Sequence, residues 1–163
     1  MLPNIKTILY CTSLGPHAPY IFGYACLMAK KLDARIVALH VIETLSRKQK
    51  TMLDGYAGQG RLHKLMEEAR KQAIAEFPKQ LQGRLAAVCG AEEFKRLVSD
   101  VLILDGDAEA QILETIATKN ADLVVVGAHT ESSLIDRMIG STARSLVKKS
   151  PVPVLVVQVP EGR

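Results

Sequence analysis

The chain has 163 residues, of which 48% are hydrophobic and 23% charged, a balance typical of one globular domain that buries its own core. It contains no tryptophan and only 4% aromatic residues, which argues against single-strand nucleic-acid binding because that function needs aromatic side chains for stacking. The net charge of +4 comes from scattered Lys and Arg residues, so it suits a small anion better than a polyanion. We therefore expect no specific nucleic-acid partner.

The cysteines and the hydropathy pattern indicate the cellular compartment of the protein. Cys11, Cys26 and Cys89 are odd in number and form no C-x-x-C pattern, which argues against a disulfide framework and a zinc site. Cys11 and Cys26 are expected to be small core residues in a reducing environment. The N-terminal apolar run is too short for a signal peptide, and no stretch is long enough for a membrane span. These features predict a cytoplasmic protein with no membrane partner.

Apolar, partly β-branched runs alternate with segments of helical periodicity along most of the chain. The predicted strands are residues 5–11, 35–42, a stretch from 98 or 101 to 104, 122–126 and 152–159. The predicted helices are residues 20–32, 59–80, 107–119 and 141–149, with Asp107 as an N-cap. Residues 82–99 stay unassigned, because a short helix in GAEEFKRL and a brief strand at 85–88 are both compatible with the pattern.

This alternation predicts an α/β three-layer sandwich, a five-stranded parallel sheet with helices on both faces, and we adopt the strand order 3-2-1-4-5 as the expectation. We find no internal repeat or linker, so residues 1–163 are interpreted as one domain. In such sheets the ligand crevice lies at the carboxyl ends of the strands, where the strand order reverses. Here that point falls between the first and fourth strands, so residues 12–19 and 127–139 are expected to face each other.

The loop after the fourth predicted strand carries the features of an anion site. Gly127 ends the strand and lets a ligand approach the backbone. Gly140-Ser141-Thr142 opens a helix whose first N–H groups have no partner within the helix. Those groups attract anions, and the two hydroxyls can donate to phosphate oxygens. The alternative is that both glycines are turn residues and Ser141 is an N-cap.

Four segments carry a family resemblance: ILYCTS near the start, ALHVIE at 38–43, DGDAEAQILETIATKNADLVVVG at 105–127, and IGSTARSLVKKSPVPVLVV at 139–157. With them, the chain resembles the universal stress protein family over nearly its whole length, except residues 46–60 and 82–99. The nucleotide-binding branch has a signature of Gly, two residues, Gly, nine residues, then Gly and Ser or Thr. Gly127, Gly140 and Ser141 fall at this spacing.

The resemblance implies a homodimer of flavodoxin-like subunits that pair through the C-terminal strand. It also implies an adenine nucleotide, ATP or AMP, as a regulatory ligand with Mg²⁺, and a protein partner of unknown identity. The base would lie near the ends of the first two strands and the phosphates at the glycine loop. The implied contacts are Thr12 and Val41 at the base, Val126 and Gly127 at the ribose or phosphates, and Gly140, Ser141 and Thr142 at the phosphates.

Two positions depart from the family pattern. Ser13 stands where the family usually has an Asp that contacts the nucleotide, so it would offer a hydroxyl instead of a carboxylate. Thr130 replaces the second signature glycine, where a Cβ would crowd the phosphates and a positive φ would be unfavourable. These changes leave a second interpretation open, a dimeric interaction module of the same family that binds no nucleotide.

An enzyme is the third interpretation, and DNA binding, supported only by the mild positive charge, is the fourth. TSLGPHAP superficially resembles the H-x-G-H loop of nucleotidyltransferases, but His17-Ala18-Pro19-Tyr20 does not fit it, and no P-loop is present. No metal-ligand spacing and no set of nucleophile and base is visible. We therefore expect a dimeric, nucleotide-responsive stress protein that is not an enzyme, apart from slow ATP hydrolysis.

Overall fold

The computed structural model describes residues 1–44, 49, 51–52, 55, 60–128 and 139–160. The strands are β1 (Thr7–Cys11), β2 (Arg35–Glu43), β3 (Val98–Gly106), β4 (Leu123–Gly127) and β5 (Val154–Val157). The helices used below are α1 (Ala18–Leu32), α2 (Arg61–Cys89), α3 (Ala91–Leu97), α4 (Ala108–Thr118) and α5 (Ser141–Lys149).

The strands form one parallel sheet of order β3-β2-β1-β4-β5, which confirms the predicted architecture. From β1 the chain builds outward through β2 and β3, then returns to place β4 on the other side of β1. The helices that follow β1 and β4 therefore leave the sheet in opposite directions, and a crevice opens between these two strands at their carboxyl ends. The edge position predicted for β5 is also confirmed.

The core has two layers because alternate residues of each strand point to opposite faces. In β1, Ile8 and Tyr10 pack beneath α1, α2 and α3. Leu9 and Cys11 pack on the opposite face against α4 and α5. Burial on both faces explains why the strands are continuous apolar runs. Cys11 and Cys26 are both buried, as predicted.

Residues 82–99 form helical and extended segments that the sequence did not distinguish. The strand considered at 85–88 is wrong, because those residues belong to the last turns of α2. The helix predicted to end at residue 80 continues to Cys89 since Leu81 and Leu85, one turn apart, are both buried in the core. Gly90, with φ of 87°, then ends α2, and the short α3 leads into β3. That strand begins at the earlier of the two predicted positions and is longer than expected.

The predicted N-cap of α4 is confirmed, since Asp107 Oδ2 accepts a hydrogen bond of 2.9 Å from the Ala110 N–H.

Strand β5 is shorter than the predicted 152–159. Within the described ranges, no helix combines the length and the apolar character needed to cross a membrane.

Candidate nucleotide-binding site

A cavity of about 420 Å³ opens at the carboxyl ends of β1, β2 and β4, where the strand order reverses. This volume lies within the range of small-molecule sites, about 300–1,000 Å³. The candidate residues from the sequence that line it are Thr12, Ser13, Val41, Val126, Gly127, Gly140 and Thr142. Ser141 lies next to this set at the start of α5 but does not line the cavity.

The loop after β1 is fixed by three hydrogen bonds at one residue. The Thr12 N–H donates to the Leu39 carbonyl at 2.9 Å, and the Thr12 hydroxyl accepts from the Leu14 N–H at 3.0 Å. His40 Nδ1 lies 2.7 Å from the Thr12 carbonyl oxygen. These contacts hold the main chain of Thr12 at the wall of the cavity and leave Ser13 exposed at its mouth.

His40 has the hydrogen-bond partner expected of a core histidine, but it is half-buried and forms part of the cavity wall. A carbonyl oxygen only accepts, so Nδ1 must carry a proton. The ring of His40 also meets Phe77 of α2 edge to face, with centroids 6.1 Å apart and an interplanar angle of 78°.

The sequence did not reveal the apolar part of the wall. Phe77, Ile21 and Ile112 line the cavity from α2, α1 and α4. Each belongs to the apolar face of a helix. The spacing of apolar residues on such a face does not tell a core residue from a residue that contacts a ligand. Only the position of these helices over the carboxyl ends of the strands distinguishes them.

The opposite part of the cavity is formed by the start of α5. The Gly140 N–H donates to the Ala128 carbonyl at 2.6 Å, which ties the helix start to the end of β4. Gly140 is the N-cap, so the alternative that Ser141 is the cap is wrong. The first bond within the helix runs from the Arg144 N–H to the Gly140 carbonyl. The N–H groups of residues 141–143 precede it and are free of helical acceptors, which makes this end attractive to anions.

Helix α5 is anchored to α4 by Glu109. Its carboxylate accepts from Lys149 Nζ at 2.5 Å and from the Ser145 hydroxyl. These two hydrogen bonds, that of Lys149 first, lower the pKa of Glu109. Ala108, the neighbour of Glu109, also lines the cavity. The Glu109 carboxylate therefore connects the cavity wall to α5, the helix whose first N–H groups attract anions.

The titratable side chains among the described lining residues are Cys11, His40 and Glu43. Burial raises the pKa of Cys11 to about 12, so this thiol is protonated at neutral pH. Within the described ranges, no group of three or more His, Cys, Asp or Glu side chains is arranged to hold a metal ion. Thr130, the second departure from the family signature, lies outside the described residues.

Comparison with known proteins agrees with this architecture. The family model described as "Universal stress protein family" matches residues 4–158. A universal stress protein of Methanocaldococcus jannaschii is 23% identical over 159 residues, which cover 94% of each protein. Its solved structure has a TM-score of 0.68 to this chain at 21% identity and covers 98% of this chain and 100% of that one.

Two further solved structures contain nucleotides. A universal stress protein in complex with cAMP has a TM-score of 0.60 at 17% identity, covering 96% of this chain and 98% of its own. A family protein from Arabidopsis thaliana with AMP bound has a TM-score of 0.52 at 12% identity, covering 96% and 93%. At these identities the likeness shows the common fold. The match over residues 4–158 shows more, and this chain belongs to the universal stress protein family.

Proposed function

We propose that this chain binds an adenine nucleotide as a regulatory ligand and acts as a dimeric, non-enzymatic stress protein. One observation carries the proposal. The described ends of the two loops that the sequence predicts to face each other, far apart along the chain, line one cavity, with Thr12 and Ser13 from the first loop and Gly127 and Ala128 from the second. That cavity has an apolar part and a part rich in N–H donors, the two surfaces that a nucleotide requires.

The apolar part suits the base. Phe77 and Ile21 present ring and aliphatic surface, and Val41 lies at the end of β2, where the family resemblance puts the adenine. The start of α5 suits the phosphates, because its N–H groups and the Thr142 hydroxyl can donate to phosphate oxygens, with Mg²⁺ as counterion. The cAMP and AMP complexes of proteins with this fold support adenine as the base.

Cys11 and His40, two of the three titratable residues on the cavity wall, favour a binding role over catalysis. A nucleophile must be activated by a neighbouring base or by a lowered pKa, whereas burial raises the pKa of Cys11. The Nδ1 proton of His40 is engaged by the Thr12 carbonyl. We therefore expect any ATP hydrolysis to be slow.

The dimeric interaction module without nucleotide is the second candidate, and Ser13 favours it. Ser13 is exposed at the cavity mouth and carries a hydroxyl where the family pattern has a carboxylate. In this case the cavity would bind no nucleotide, and the protein would act only through its dimer and the binding of a protein partner.

The test is to denature freshly purified protein and identify released nucleotide by chromatography and mass spectrometry, then to titrate emptied protein with ATP, AMP, cAMP and GTP, with and without Mg²⁺. We expect an adenine nucleotide in the extract or measurable binding in the titration. Gly140→Trp should abolish binding, because the indole would occupy the space beside the α5 N-terminus.

Gly83→Trp is the matched control. Gly83 is exposed on α2, and a Cβ added there meets no atom within 4 Å. This variant should bind as the wild type does. A wild type that releases no nucleotide and gives no binding signal with any of the four ligands would contradict the proposal and leave the interaction module.

A further inference from the structure

His40 offers a nitrogen lone pair at the wall of the cavity. Its Nδ1 donates to the Thr12 carbonyl oxygen at 2.7 Å, so in the neutral ring Nε2 carries no proton and is an acceptor. Nε2 has no hydrogen-bond partner among the described residues, and it does not belong to the buried polar atoms that lack one. Because His40 is half-buried and lines the cavity, this lone pair is available to a ligand there.

Two contacts fix the direction of that lone pair. The Thr12 carbonyl holds one side of the ring, and Phe77 of α2 packs against the ring with an interplanar angle of 78°. Since the two nitrogens lie on different sides of an imidazole, Nε2 points away from Thr12. Both contacts are made within the protein, so binding a ligand costs little reordering of this side chain.

The surroundings of this acceptor are apolar, which makes it selective. His40 follows Ile36 and Ala38 on the face of the sheet that α1 and α2 cover. Ile21 and Phe77 line the cavity from those two helices. An acceptor in such surroundings favours a ligand that donates to it. It disfavours a ligand that places an oxygen against it, since both lone pairs would then stay unpaired.

We propose that His40 selects a purine with an amino group at position 6, because Nε2 accepts a hydrogen bond from that group. The inference rests on the proposed nucleotide site and names the residue that decides which base the site takes. Adenine carries an amine at this position, which donates. Guanine and hypoxanthine carry a carbonyl oxygen there, which would face the His40 lone pair without a proton between them.

The Glu43 carboxylate is another acceptor on the cavity wall. Glu43 is exposed at the end of β2, so water competes for its hydrogen bonds and a base without a donor loses little there. His40 is held on both sides by protein contacts, and its acceptor lies among apolar side chains. His40 is therefore the stronger basis for selection between bases.

The test compares ATP with ITP, whose base is hypoxanthine, and with purine riboside 5′-triphosphate, which has only hydrogen at position 6. Emptied full-length protein is titrated by calorimetry at pH 8, which favours the neutral form of a histidine ring. ITP should bind about tenfold or more weakly than ATP, and purine riboside triphosphate about fivefold more weakly, since one neutral hydrogen bond is lost. Equal affinities for the three triphosphates would overturn this inference and leave the nucleotide site intact. Binding of none of them would overturn both proposals.

Two substitutions separate selection of the base from support of the Thr12 loop. In His40→Asn the amide can take the position of Nδ1 and keep the Thr12 contact but reaches no further, so ATP and ITP should bind with equal affinity. In His40→Gln the longer side chain places its amide near the position of Nε2, where its oxygen can accept, so a preference for ATP should remain. A preference that persists in His40→Asn and disappears in His40→Gln would overturn the inference and assign His40 to the loop alone. Circular dichroism identifies a variant that does not fold, and the wild-type affinities decide the proposal in that case.

Discussion

At the scale of single residues, the ability of the site to bind a ligand depends on which polar groups are already hydrogen-bonded within the protein. Thr12 uses its N–H, its carbonyl and its hydroxyl to fix the loop after β1. It can therefore shape the wall but has little left to offer a ligand. Thr142 differs, because this residue lines the cavity at the start of α5, and the adjacent Ser141 does not.

This difference leads to the first prediction. Thr142→Val removes a hydroxyl from the anion end with little change in shape, so ATP affinity should fall about tenfold, the value of one hydrogen bond to a charged group. Adenosine affinity should stay the same, because adenosine has no phosphate. Ser141→Ala is the matched control and should keep ATP affinity within about twofold. Calorimetric titration measures these affinities. If Ser141→Ala lost more ATP affinity than Thr142→Val, Ser141 and not Thr142 would be the phosphate contact.

At the scale of elements, helix ends decide both the stability and the position of the cavity wall. Helix α4 starts beside the cavity, and its first turn is held by the Asp107 cap. Asp107→Ala should lower the free energy of unfolding by about 1 kcal/mol, because the Ala110 N–H loses its acceptor. Urea denaturation measures this. Asp107→Asn keeps a capping oxygen, so its free energy of unfolding should fall much less. An equal fall in both variants would show that the charge of Asp107 stabilises the helix more than its capping hydrogen bond does.

The contact between α4 and α5 should depend on pH through Glu109. Lys149 and Ser145 lower its pKa in the folded state, so its contribution to stability is present above the unfolded-state pKa, about 4.3, and is lost as pH falls through the folded value. The melting temperature of wild type should exceed that of Glu109→Gln near neutral pH, and the gap should close below about pH 4. Thermal melts from pH 7 to 3 test this. A gap that persists at pH 3 would assign the effect to packing instead of charge.

Element prediction failed where local and tertiary preferences disagreed. Pro78 and Gly83 lower helix propensity, and no local pattern predicts that α2 extends beyond residue 80. The burial of Leu81 and Leu85 against the sheet outweighs those penalties. That stabilisation comes from contacts with distant parts of the chain, which no local pattern contains.

At the scale of the whole molecule, the sheet has two edge strands, β3 and β5, and we propose that the chain pairs through β5. The Pro153 carbonyl accepts from Val124 of β4 and the Val157 carbonyl from Ala128, directly after β4. The backbone groups of Val154 and Val156 therefore point away from β4. An edge whose outward backbone groups have no partner among the described residues favours pairing with a second copy about a two-fold axis.

Val156→Pro should therefore convert the proposed dimer into a monomer, because it removes an outward N–H without taking a donor from the β4 ladder. Light scattering coupled to size-exclusion chromatography should give twice the chain mass for wild type and the single chain mass for this variant. Val156→Ala shortens the same side chain but keeps the N–H, and it should stay dimeric. A monomeric wild type, or dimeric Val156→Pro, would place the interface elsewhere.

The sequence alone determined the fold class, the strand order and the loop ends at Thr12 and Gly127 that line the cavity. The fold class follows from local patterns, namely apolar runs buried on both faces and helical periodicity, whereas the strand order was an expectation that agrees with the family resemblance. Only the tertiary structure decided that Phe77 lines the cavity and that Ser141 does not. Each of these depends on how helices distant in sequence pack over the sheet, and the same helical spacing is compatible with either outcome.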